Sequence, residues 1–194
     1  MDPQPHYPMD YLCALHHTPT PTTLNTLLNA TTSPPRFVYG VLKLPTALKY
    51  ILDEPQSTDM VSRMTRATLA GYKLYLPSPH DPPVMLPSRD PGDAVEGMLI
   101  FGLNEEQRNV IYEFEAGLME LVGVKVRVEV FEGVEEDVVT RSEREVDAGA
   151  FAWKDGACEE GLVPVVGTNW EVDEFVAGAF YENMRRAQMA RLLE

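Results

Sequence analysis

Phe37-Val38-Tyr39-Gly40-Val41-Leu42 runs an apolar strand straight into a Tyr-Gly step, and the residues behind it begin a helix. Aromatic and β-branched side chains favour the extended run, and Gly40 frees the backbone where it ends. Consecutive N–H groups in such a turn can converge on an anion, which makes Tyr39 to Leu42 a candidate cradle. The same residues also read as a plain strand-to-helix turn. Pro45, followed by Ala47, Leu48, Tyr50, Ile51 and Leu52, starts the short helix with proline in the first turn, where its missing N–H costs nothing.

Downstream, Ala67 to Leu76 reads as one long strand with a bulge at Gly71, and Val95 to Gly102 as another. Between them, Pro77 to Pro91 is a proline-rich excursion too polar and kinked for a sheet. Asn104 and Gln107 form a capping box for a helix through Glu115, apolar at Val110, Ile111 and Phe114. Val124, Val126, Val128 and Val130 alternate with Lys125, Arg127 and Glu129, the cleanest period of two in the chain. Residues 135–141 and 145–153 read as two further strands, Glu132 to Glu136 as a solvated hairpin turn. Val172 to Leu193 reads as a C-terminal helix laying Phe175, Val176, Ala179 and Phe180 on the sheet. Several strands with few helices, and no regular βαβ alternation, predict an α+β fold around a small mixed sheet, closed or nearly closed into a barrel.

The 194 residues suit one domain, and 44% hydrophobic content is enough for a sizeable core. Residues 1–35, rich in Pro and Thr as in Thr18-Pro19-Thr20-Pro21-Thr22-Thr23, read as an extended or loosely docked arm, with at most a helical turn over Leu24 to Leu28. Residues 36–194 form the domain. A net charge of −14 without a cluster of Lys and Arg argues against nucleic-acid binding. No apolar run approaches the ~20 residues of a membrane span, and no basic, apolar leader opens the sequence. A cytoplasmic protein, monomer or homodimer, with reduced thiols is expected. Cys13 and Cys158 lack zinc spacing, and His16, His17 and His80 have no carboxylate or thiol at metal-ligand spacing, so no metal is expected. The acidic neighbours of Cys158 raise its thiol pKa, and no Gly-x-Ser-x-Gly is present.

Taken in order, Tyr39-Gly40-Val41-Leu42, the Gly71-Tyr72 pair, Val95-Glu96-Gly97, Tyr112-Glu113-Phe114-Glu115 and Trp170 to Phe175 resemble the gamma-glutamylcyclotransferase-like superfamily, including the branch named for a plant avirulence-induced gene. The resemblance spans residues 36–184. It implies a compact six-stranded barrel flanked by short helices, with Glu115 as the catalytic carboxylate. It also implies a reaction on a small molecule without metal or nucleotide cofactor: the α-amine of a γ-glutamyl group attacks its own amide carbonyl, closes 5-oxoproline and expels an amine. Backbone N–H groups of Tyr39, Gly40, Val41 and Leu42 would then bind the α-carboxylate or the oxyanion, with Tyr72 as a further pocket residue. Two departures stand out. Val41 occupies a position where the family often has Thr or Ser. The Gly-x-x-Tyr-x-Arg that commonly follows the catalytic Glu is replaced by Ala116-Gly117-Leu118-Met119-Glu120-Leu121.

The residues also argue for Glu115 directly. A helix C-terminus is an electrostatically poor place for a carboxylate, and apolar neighbours raise its pKa towards the range where it can both take and return a proton. A solvated helix-end glutamate, like Glu113 or Glu120, is the plain alternative. Tyr39, Tyr72 and Tyr75 read either as pocket residues or as ordinary strand aromatics. Three functions stay open: a gamma-glutamylcyclotransferase-like enzyme, a diverged relative using the carboxylate for proton transfer on a specialised metabolite, and a catalytically silent small-molecule-binding module.

Overall fold

The computed structural model describes residues 7–78, 81–117, 119–135, 138–154 and 160–190. In chain order the elements are α1 (Met9–His16), α2 (Pro21–Asn29), β1 (Arg36–Val38), α3 (Pro45–Ile51), β2 (Met64–Ala70), β3 (Tyr72–Leu76), β4 (Val84–Pro87), β5 (Ala94–Ile100), α4 (Glu105–Glu115), β6 (Met119–Glu135), β7 (Val138–Trp153), β8 (Val163–Pro164), α5 (Asp173–Ala177) and α6 (Ala179–Ala190). Short 3-10 turns lie at Val41–Lys43 and Val61–Arg63. His80, Cys158, the end of the hairpin turn at Glu136 and the last residues of the C-terminal helix lie outside the described residues.

Strands β1, β5, β2, β6 and β7 close a barrel in that order, and β4, β3 and β8 make a second, three-stranded sheet. The architecture is the expected mixed α+β barrel, but its ring is closed by five strands where six were expected, because β3, β4 and β8 pair in the separate sheet. Every pairing in the ring is antiparallel except β1 with β7, where Arg36 and Phe37 lie beside Gly149 and Ala150. Val124, Val126, Val128 and Val130 are buried in one core cluster with Phe37, Leu69, Val95 and Leu99, while Lys125, Arg127 and Glu129 face solvent. A second cluster, with Val38, Met98, Ile100 and Ile111, fills the space between the barrel's outer face and the helices.

Several expectations are corrected. The stretch Ala67 to Leu76 is two strands: Gly71 adopts φ +77°, the chain turns, and β3 leaves for the second sheet. Only glycine enters that left-handed region without steric cost. The proline-rich excursion contributes β4, whose Val84 to Pro87 pair with Tyr75 to Tyr72. The two strands expected over 135–153 are the single strand β7, paired along its length with β6. The C-terminal helix is broken at Gly178 into α5 and α6.

Residues 9–29 are not extended. They fold into α1 and α2, which bury Tyr11, Ala14 and Leu24. Thr20 caps α2 by accepting the Thr23 N–H at 3.1 Å, and Pro21 occupies the first turn. Thr-Pro is a helix-start signal, and the burial of Leu24 in the barrel core supplies the stabilisation that the local composition lacks.

Candidate active site

Helix α4 is positioned at its start and delivers a carboxylate at its end. Asn104 Oδ1 accepts the Gln107 N–H at 2.8 Å, and Gln107 Oε1 accepts the Asn104 N–H at 3.0 Å, the expected capping box. Ile111 is fully buried against the barrel, which fixes the rotation of the helix. Glu115, the last helical residue, then lies half-buried beside the end of β1.

There it shares a pocket of about 190 Å³ with Phe37, Val38, Tyr39, Gly40, Val41, Pro82, Pro83, Phe114 and Phe151. Burial pushes the Glu115 carboxyl up to about 7. The C-terminal end of a helix is likewise a poor place for negative charge. Tyr39 is buried, and its hydroxyl donates to the Phe151 carbonyl oxygen at 2.7 Å. Burial, and then the charge of Glu115, hold this phenol well above its ordinary pKa. Of these two groups, Glu115 is the one whose pKa is brought near neutrality, and Tyr39 stays a neutral hydroxyl.

The loop after β1 forms a tight turn in which the Lys43 N–H donates to the Gly40 carbonyl at 3.0 Å. The N–H groups of Gly40, Val41 and Leu42 precede this first bond of the turn, so the turn itself does not consume them. Gly40 has φ −108°, which demands no glycine. Its value is space: a Cβ there would stand 3.8 Å from Pro83 Cδ and 4.0 Å from Pro82 Cβ, inside the pocket.

The structure thus brings Tyr39, Gly40, Val41 and Glu115 around one pocket. Leu42 does not join them with its side chain, which is buried with Leu48 and Ile111. Tyr72 packs against the barrel core, and Tyr75 beside Val84, Leu86 and Trp153. Phe114 is 45% exposed and forms a rim of the pocket, although its place in the helix pattern suggested core. Sequence reading did not single out Pro82, Pro83 or Phe151 as pocket walls. The Pro-Pro pair was visible as a rigid element in the excursion, but nothing local says that it faces Gly40.

Lys43 was also missed. It is 2% exposed, and its ammonium donates to Asn169 Oδ1 and to the Trp170 carbonyl, each at 2.7 Å. Burial lowers its pKa to about 8. It ties the end of the 3-10 turn to the segment before α5 and is not among the residues lining the pocket.

A larger groove of about 610 Å³ lies against Trp170, Phe175 and Phe180 and contains neither Glu115 nor the Tyr39 loop. Among the described residues no group of three His, Cys, Asp or Glu side chains is placed to hold a metal ion. No helix of the described residues is long and apolar enough to cross a membrane.

A sequence model described as "Gamma-glutamyl cyclotransferase, AIG2-like" matches residues 36–172. No curated protein sequence matches the chain. Among solved structures, a solution structure from Arabidopsis thaliana is similar at 23% identity and a TM-score of 0.50, covering 84% of each chain. A second A. thaliana solution structure gives 17% identity and a TM-score of 0.46 over 85% of this chain and 92% of the other. A crystal structure of a Mus musculus aig2-like protein gives 17% and 0.45 over 76% and 92%. The matched residues run from the first strand of the barrel to the segment held by Lys43, with Tyr39, Gly40 and Glu115 inside them, and the chain belongs to the gamma-glutamyl cyclotransferase, AIG2-like family.

Proposed function

We propose that the protein is a gamma-glutamylcyclotransferase-like enzyme that releases 5-oxoproline from a γ-glutamyl amine, with Glu115 as general base and then general acid. One observation carries this reading: a carboxyl with a pKa raised to about 7 shares a pocket with the Tyr39-Gly40-Val41 backbone. As a carboxylate, Glu115 takes a proton from the substrate α-ammonium. The freed amine attacks the γ-carbonyl carbon, and the new C–N bond closes a five-membered ring. Collapse of the tetrahedral intermediate breaks the bond to the leaving nitrogen, which receives the proton held by Glu115; the ring nitrogen then gives up its second proton through the regenerated carboxylate to the expelled amine, which departs as an ammonium. The substrate supplies its own nucleophile, so the protein's work is to fold the γ-glutamyl chain into a cyclising shape, pass protons from the attacking to the leaving nitrogen and stabilise the oxyanion. The N–H groups at the start of the 3-10 turn supply donors for the oxyanion or the α-carboxylate.

A second reading, a diverged member transferring a proton on a specialised metabolite, is favoured by one observation. Apart from Glu115, every residue lining the pocket is glycine, proline, apolar or aromatic.

The test is 5-oxoproline release from a panel of γ-glutamyl compounds, glutathione included, by wild type and by Glu115→Gln. Release by wild type alone supports the cyclisation. Release by neither, with a γ-glutamyl ligand still bound, sinks it and leaves the second reading or a binding role.

A further inference from the structure

The pocket is small and its surroundings are apolar in a specific arrangement. Sites that enclose a whole drug-sized ligand run to about 300 Å³ or more. At about 190 Å³ this one encloses a group of amino-acid size, so the rest of a larger substrate must lie at the mouth.

The mouth is lined by rings. Phe114, 45% exposed, stands on one side of Glu115 around the helix, and Tyr112, 51% exposed, on the other, as 100° per residue requires. The Tyr112 ring lies 6.0 Å from that of Phe151, which is itself a wall of the pocket. Leu121, 38% exposed, is the direct cross-strand partner of Phe151, so the two side chains share a face. Tyr112, Phe114 and Leu121 thus form an exposed, uncharged shelf beside the pocket, backed by the buried Phe151. Arg36, packed with Leu121 beside Gly149, is 7% exposed and so is withdrawn from that surface.

Resting on the cyclotransferase reading, we propose that the amine expelled by this protein carries an apolar, ring-bearing group, seated on this shelf while the γ-glutamyl head occupies the pocket. Apolar leaving groups gain by covering Tyr112 and Phe114, whose rings otherwise face water. A small leaving group leaves those rings uncovered. The head stays common to all substrates, and the shelf sets the preference among them.

The test uses the full chain carrying Glu115→Gln, so that the probes stay intact, and compares binding of γ-glutamyl benzylamide with γ-glutamyl methylamide by calorimetry. The benzylamide is expected to bind about tenfold tighter, the order of one well-placed aromatic contact. Adding Tyr112→Ser and Phe114→Ser, both at exposed positions, is expected to bring the two probes within about twofold. Equal affinities, or a preference that survives the two serine changes, would overturn the shelf. Wild type mixed with each amide separates the two ideas: a benzylamide preference without 5-oxoproline release overturns the reaction and supports the shelf. Release from both amides at equal efficiency overturns the shelf and supports the reaction.

Discussion

The Tyr39 hydroxyl donates to the Phe151 carbonyl oxygen at 2.7 Å and so joins residues 112 positions apart in the chain. It pins the end of β1 to β7, its parallel neighbour in the ring, and fixes two walls of the pocket relative to each other. Tyr39→Phe keeps the ring and removes the donor, leaving a buried carbonyl short of a partner. A loss of about 1–2 kcal/mol is expected, read from the urea midpoint, with the slope of the transition unchanged. A wild-type midpoint would mean that the bond does not hold this end of the barrel.

Glu115→Gln preserves shape and removes proton exchange. Turnover is expected to fall by about 10² to 10⁴-fold. Because the carboxylate form starts the reaction, wild-type kcat/KM should decline as pH drops through about 7, the value to which burial raises this group. An acidic limb near the ordinary value of 4.5 would contradict that environment.

The same shift makes stability depend on pH. The unfolded chain loses this proton near 4.5 and the native state near 7, so in between the native state holds more protons and stability falls as pH rises. The slope should be worth about 1–3 kcal/mol across that window. Denaturation of wild type and Glu115→Gln at pH 4 and pH 8 reads it directly: the difference between the two proteins should change in favour of the glutamine variant at the higher pH.

Gly40 is expected to tolerate a methyl group and reject a larger side chain. Its φ is negative and a Cβ would meet the two prolines only at ordinary contact distance, so Gly40→Ala should fold with a melting temperature within a few degrees of wild type. Gly40→Leu would fill the pocket, and turnover should disappear while the far-ultraviolet circular dichroism stays native. Full activity in the leucine variant would place the reaction elsewhere.

Gly97 is constrained in the opposite way. A Cβ there would run into the carbonyl oxygen of Val38 and the ring of Phe37, and a backbone atom cannot step aside as a flexible side chain can. Gly97→Ala is expected to cost about 3 kcal/mol, measured by chemical denaturation.

These glycines show which parts of the fold were legible. The Val95-Glu96-Gly97 and Gly71-Tyr72 signals were readable as glycines inside strands. Their reasons, close passage of β1 over Gly97 and a left-handed turn at Gly71, belong to the fold. The valine alternation of β6 and the capping box of α4 were readable in full, because side-chain periodicity and helix caps are properties of a few consecutive residues. The helices of residues 9–29 were not. Their local composition is poor, and Tyr11, Ala14 and Leu24 find their burial only against elements far along the chain.

The site divides in the same way. By itself the sequence determined that a strand would end in Tyr39-Gly40 and that a capped helix would end in Glu115, since both follow from local pattern. Only the tertiary structure decided that Pro82, Pro83 and Phe151 enclose these ends, that Leu42 and Tyr72 turn into other packing, and that the Glu115 carboxyl is raised to about 7. The reason is desolvation. A carboxylate's pKa depends on what displaces water around it, and here the displacing groups come from strand ends and loops brought together by barrel closure.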